Sequence, residues 1–141
     1  MSEELDINAL LSALDNDNNE DLLQLDYKKI TEIKTKILKG INLNKALYNK
    51  LQKQLKEYRY IDEVPDLKYG NYIRWISLRN TEDIKLTNGG FISDIKIFDD
   101  GVHIVCRNSA GNLFQIRMYE NIIFQKLTEQ EKILLSALSY L

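Results

Sequence analysis

The spacing of hydrophobic positions changes once along this chain. Up to Tyr58 they recur every three or four residues, the period of a helix face, and from Asn71 to Leu127 they alternate with polar residues, the period of a strand. In the first part, Ile7, Leu10, Leu11 and Leu14 predict a short amphipathic helix over 6–14. Ile30, Ile33 and Ile37 mark a narrow stripe on a helix over 27–39, which Gly40 is placed to stop. Asn44 can cap another helix, in which Leu47, Leu51, Leu55 and Tyr58 fall four, four and three apart. Two antiparallel helices joined by about four residues make a helical hairpin. Stripes this narrow must pack on each other and on something else, either the strand region or a second copy of the chain.

Residues 60–70 hold the only proline, Pro65, beside Asp62, Glu63 and Asp66. Proline disfavours helix at Val64, so an extended linker is expected here. Five strands are then predicted. Ile73 and Trp75 share one face of the first, opposite Tyr72, Arg74 and Ile76. A polar stretch, Arg79 to Asn88, leads to the turn signal Gly89-Gly90. In the second strand Phe91, Ser93, Ile95 and Ile97 alternate with Ile92, Asp94, Lys96 and Phe98, and Asp99-Asp100-Gly101 reads as a hairpin turn. Val102, Ile104 and Cys106 line one side of the third. Asn108 to Asn112 forms a second hairpin loop before Phe114, Ile116 and Met118, and a turn at Tyr119-Glu120-Asn121 precedes the last strand. Trp75, Ile95, Ile104 and Ile116 are expected to meet in one interior. Thr128-Glu129-Gln130-Glu131 matches a capping box that opens a final, largely apolar helix, to be buried against the end of the strand unit or in an interface.

Charge divides the 141 residues into blocks that the net charge of -2 conceals. Residues 1–26 carry eight acidic and no basic side chains, and residues 27–59 carry ten basic and two acidic, a net +8. The expected organisation is an acidic amphipathic segment over 1–26, a basic helical hairpin over 27–59, a linker over 60–70 and a strand unit with its helix over 71–141. An acidic start is the opposite of a signal peptide, no apolar run approaches the roughly 20 residues that cross a bilayer, and a lone cysteine suits a reducing compartment. These features point to a protein without a membrane partner, located in the cytoplasm or nucleus.

The predicted fold class is α+β. Five strands with a long first loop, two tight hairpins and a short last strand resemble a small SH3-like or Tudor-like barrel, here preceded by the helical hairpin and followed by a helix. That resemblance implies recognition on aromatic surfaces near the first strand and its loop, where flat rings accept proline-rich peptides, cations or bases. Among Tyr58, Arg59, Tyr60, Lys68, Tyr69, Tyr72, Arg74 and Trp75, the candidates for a partner-binding platform are Tyr69, Tyr72 and Arg74. Trp75, on the face of Ile73, reads as core, and rings that simply cover one end of the barrel are the alternative for the rest. Tyr72-Ile73-Arg74-Trp75-Ile76, Gly89-Gly90-Phe91 and Phe124-Gln125-Lys126-Leu127-Thr128 are similar to short uncharacterised proteins of large DNA viruses. This likeness implies a component of a virion or of a viral nucleic-acid assembly.

Candidate chemistry is sparse. His103 and Cys106, three apart on one strand, point to opposite faces, so His103 reads as an exposed strand residue and Cys106 as a small core side chain. Asp99 and Asp100 sit where a turn wants them. Asp15 to Asp26 offers oxygen ligands at alternate positions, but Glu20 replaces the glycine a calcium loop needs and Asp26 its final Glu, so an acidic turn capping the next helix is the better reading. The leucines flanking that turn also suit a docking peptide. Asn88-Gly89-Gly90 lacks the Lys-Ser/Thr of a phosphate-cradling loop. No catalytic residue, metal ligand or cofactor is expected. The sequence favours a non-enzymatic interaction or assembly protein with a protein partner or self-association. The alternative is a binder of DNA or RNA through the basic hairpin, at Lys45, Lys50, Lys53, Lys56 and Arg59, whose bland counterpart is a solvated lysine face.

Overall fold

The computed structural model of the chain describes residues 7–16 and 26–139. Among these, four α-helices and six strands follow in the order α1 (Ile7–Asp15), α2 (Tyr27–Lys39), α3 (Lys45–Gln54), β1 (Tyr58–Ile61), β2 (Tyr72–Ser77), β3 (Gly90–Phe98), β4 (Gly101–Arg107), β5 (Leu113–Arg117), β6 (Asn121–Lys126) and α4 (Glu129–Leu138). Single 3-10 turns cover Val64–Asp66 and Met118–Glu120. The leucines Leu22, Leu23 and Leu25 and most of the calcium-like loop lie outside the described residues.

Local chemistry accounts for the helix ends. Asp26 accepts the Lys29 N–H at 2.7 Å and Asn44 accepts that of Leu47 at 2.8 Å. Thr128 and Glu131 exchange both bonds of the expected capping box, at 3.1 and 2.9 Å. Each cap supplies an acceptor to an N–H that has no partner inside its helix, worth about 1 kcal/mol.

The sheet is antiparallel throughout, in the order β1-β6-β2-β3-β4-β5. Two expectations are corrected here. There are six strands instead of five, and the sheet is open instead of a closed barrel, with β1 at one end and β5 at the other. The extra strand comes from Tyr58–Ile61, read from sequence as the end of a helix and the start of the linker. Helix α3 stops at Gln54, and the aromatic and β-branched residues that follow pair with β6, Tyr58 opposite Lys126 and Ile61 opposite Ile123. Tyr58 still packs with Leu51 and Leu55, so the apolar stripe is real although the helix is shorter. Pro65 opens the 3-10 turn instead of an extended linker, since its fixed φ suits a first helical turn. Gln125 ties that turn to β6: its Nε2 donates to Asp66 O at 2.9 Å and its Oε1 accepts the Lys68 N–H at 3.0 Å.

Both faces of the sheet are used. One face packs Leu38 of α2, Leu51 of α3 and Leu55 just past its end against Tyr58, Ile76 and Phe124. The other curls on itself, bringing Ile61, Ile73, Trp75 and Ile123 against Ile92, Ile104 and Cys106, with Ile95 and Ile116 at the margin. The expected meeting of Trp75, Ile95, Ile104 and Ile116 is therefore observed. Each such large side chain contributes about 1.5–3 kcal/mol when fully buried.

The curl is set at the β2–β3 seam, where only Tyr72 pairs with Phe91 and Ile73 with Gly90. Gly89 has φ +86°, and a Cβ on Gly90 would sit 2.8 Å from the Arg107 carbonyl oxygen, so the turn into β3 requires both glycines. A bulge at Ser93 then shifts the pairing, with Ile92 opposite Cys106 and Asp94 opposite Val105. It places Ile92 and Ile95 on the same inner face, where strict alternation would have set them apart.

The last helix packs on helices and not on the end of a barrel. Leu135 meets Ile30 and Leu127, α1 lies along α4, and Asn16 Nδ2 donates to Gln130 Oε1 at 2.8 Å. Helix α1 presents buried Ala13 to the protein, whereas Ile7, Leu11 and Leu14 are exposed.

Candidate interaction surface

Several large apolar side chains are left in water on the strands that run beyond the helices. Past the bulge, β3, β4 and β5 form two successive hairpins, closed by Asp99-Asp100 and by Asn108–Asn112 as the turn signals predict. In the second loop Asn108 Oδ1 accepts the N–H groups of Ala110 at 3.1 Å and Asn112 at 2.9 Å. Ile97 at the hairpin tip is 78% exposed, Phe98 47%, Leu113 58% and Phe114 44%. Leu113 and Phe114 belong to β5, a terminal strand with one open edge. The exposed side chains form two separate pairs: Ile97 and Phe98 sit at the β3–β4 tip, opposite Val102 and Gly101, and Leu113 and Phe114 lie toward the other end of β4, opposite Arg107 and Cys106, with one member of each pair on either face of the sheet.

His103 organises the outer face of these hairpins. It was expected to be exposed, yet it is buried: the Phe98 ring lies edge-on over its imidazole, centroids 4.6 Å apart. Asp100 Oδ1 lies 3.1 Å from His103 Nε2, and Gln115 Nε2 lies 2.8 Å from Nδ1. The pattern assigns Nε2 as the protonated nitrogen donating to Asp100, with Nδ1 accepting from Gln115. Both nitrogens are spent on neighbours, so the ring fixes the β3–β4 turn to β5. On the opposite face Cys106 is buried among Ile92 and Ile104, and burial pushes its thiol up to about 12.

The three residues expected to form an aromatic platform, Tyr69, Tyr72 and Arg74, have different surroundings. Tyr69 is exposed. Tyr72 stacks edge-on against Phe91 at 5.0 Å and donates its hydroxyl proton to the Asn88 carbonyl. Arg74 Nε donates to Thr87 O at 2.8 Å. The latter two side chains bind the 79–88 stretch back against β2, where Leu86 also bridges Ile76.

Of the basic candidates, Lys45, Lys50, Lys53 and Lys56 are exposed, and none is ion-paired among the described residues. On α3 the first three occupy the arc opposite Leu47 and Leu51. Arg59 is buried, opposite Gln125 on β6, and does not join that surface. Lys34, counted from sequence within the basic block, is buried as well. Its Nζ donates to the carbonyls of Leu55 at 2.7 Å, Tyr58 at 3.0 Å and Lys56 at 3.5 Å. Burial lowers its pKa. The buried stripe of α2 is thus Ile30, Lys34 and Leu38, while Ile33 is exposed.

No helix among the described residues is long and apolar enough to cross a membrane. Comparison with protein-family models, with curated proteins and with solved structures gave no match for this chain, so its surfaces are read from their own chemistry.

Proposed function

We propose that this protein is a non-enzymatic interaction and assembly component, and that the β3–β5 end of its sheet is the surface it offers. The supporting observation is the exposure of Leu113 and Phe114 on a strand whose outer edge is open, with a second exposed pair, Ile97 and Phe98, at the β3–β4 tip. Removing such rings and branched chains from water is the main favourable term in association. The likeness to short proteins of large DNA viruses sets this role in a particle or a nucleic-acid assembly, and an SH3-like descent for the curled sheet belongs to the same proposal. Sedimentation velocity from about 1 to 500 µM tests it, a range that covers weak and moderate association. Association weakened by Leu113→Ser with Phe114→Ser, at unchanged circular dichroism, is the expected result. A wild type that stays monomeric throughout counts against assembly.

A second reading is favoured by Lys45, Lys50, Lys53 and Lys56, exposed and without an ion pair among the described residues. Four lysines facing phosphates predict a salt slope of about -3.6, so affinity for a labelled oligonucleotide falls roughly 100-fold between 50 and 200 mM salt. Lys50→Glu with Lys53→Glu abolishes binding on this reading. Absence of binding at low salt removes it.

A further inference from the structure

The two ends of the sheet are finished differently. At β1 the outer edge is occupied: α2 lies beside it, and Lys34 Nζ caps the Tyr58 carbonyl. At β5, among the described residues, nothing lies across the edge and no backbone bond is made on its outer side. Antiparallel ladders alternate, and the Asn108 N–H donating to Asn112 O at 3.0 Å fixes the phase. Phe114 and Ile116 therefore bond to β4, while Leu113, Gln115 and Arg117 turn their N–H and C=O groups outward. The strand has no proline, no glycine, no bulge and no lysine, the usual devices that keep an edge from pairing.

Resting on the interaction reading above, we infer that the β5 edge pairs antiparallel with the β5 edge of a second copy, about a two-fold axis through Gln115. The register explains why the occupant is a second copy. Centred there, Gln115 faces its own equivalent as a hydrogen-bonded pair and Leu113 faces Arg117, so every outward group meets one of opposite kind. On one side of the joined sheet Phe114 lies across from Ile116, an aromatic–aliphatic pair made twice. Like charges do not meet. Arg117 faces Leu113, and its guanidinium is already held by Glu120 at 3.3 Å and Asp100 at 3.8 Å. The Arg117 carbonyl takes Asn121 Nδ2 at 2.8 Å and keeps a second lone pair for the incoming strand.

Two variants of the full chain test this. Leu113→Lys sets an ammonium against the partner's guanidinium at both ends of the ladder while changing only an exposed side chain; it weakens association at least about tenfold. Gln115→Cys brings two thiols face to face on the axis, where α-carbons about 5.5 Å apart suit a disulfide. Mild oxidation gives a covalent dimer of twice 16.5 kDa, since Cys106 is buried, whereas the control Lys96→Cys gives none. Association that survives Leu113→Lys, with no cross-link through position 115, overturns β5 pairing and leaves assembly through another surface. A wild type monomeric at every concentration, again with no cross-link, overturns β5 pairing and the assembly reading together.

Discussion

Replacing Lys34 by methionine isolates what a buried ammonium does between α3 and β1. The stem keeps its packing against the neighbouring apolar side chains, and only the charge and its donors are lost. Two carbonyls, those of Leu55 and Tyr58, lose bonds of 2.7 and 3.0 Å inside the protein. A buried acceptor stripped of its donor costs about 1–3 kcal/mol, or about 4 kcal/mol for the pair. Relief of the ammonium's desolvation returns a part of this, set at about 2 kcal/mol for a group still stabilised by two strong acceptors. The net loss is then about 2 kcal/mol. Unfolding entropy near 2.1 cal/mol/K per residue gives about 0.3 kcal/mol/K for 141 residues, so Tm falls by about 7 °C. Differential scanning calorimetry of Lys34→Met measures this directly, and amide exchange at residues 55–58 quickens first. A variant melting at or above the wild-type temperature shows that desolvation outweighs the bonds and refutes the capping role.

Other outcomes follow from the core and the seam. Native Cys106 resists a thiol reagent at pH 8 and reacts promptly in denaturant, because the site is closed and the thiol's pKa lies far above the pH; equal rates in both conditions contradict its burial. The unfolded thiol releases its proton near 9 and the folded one near 12, so between these values the unfolded state binds fewer protons and stability falls as pH rises. Denaturation of Cys106→Ala shows a shallower alkaline decline than wild type. Gly90→Ala drives a methyl group to 2.8 Å from the Arg107 carbonyl and loosens the seam at a cost of about 2–3 kcal/mol, whereas Gly111→Ala, at φ +83° with open space around it, costs about 1 kcal/mol. Urea titrations that rank the two in reverse would mean β3 does not enter the sheet as described.

What could be read from sequence was local. Caps at Asn44 and Thr128, the turns at Asp99-Asp100 and Asn108–Asn112, and the alternation of Val102 to Cys106 all rest on neighbours within a few residues. The strand at Tyr58–Ile61 was missed because Leu51, Leu55 and Tyr58 keep helical spacing into it, and only the distant β6 supplies its ladder. Ser93 carries no bulge signature, so Ile92 and Ile95 were assigned to opposite faces. Counting charge treated Lys34 and Arg59 as surface, although folding hides both. The candidate surface was read as a strand with a core side, and what exposes Phe114 is the position of β5 at the end of the sheet, which no local pattern encodes.

The place of β6 between β1 and β2 also governs when the molecule can come together. The two earlier strands, only ten residues apart in the chain, share no ladder and wait for Asn121–Lys126 to enter between them. During synthesis the hairpins of β3, β4 and β5 emerge able to zip on their own, whereas the central seat of the sheet stays vacant until Asn121–Lys126 has left the ribosome. Helices α2 and α3 thus meet a finished floor last, making completion of this fold a late, single closing event.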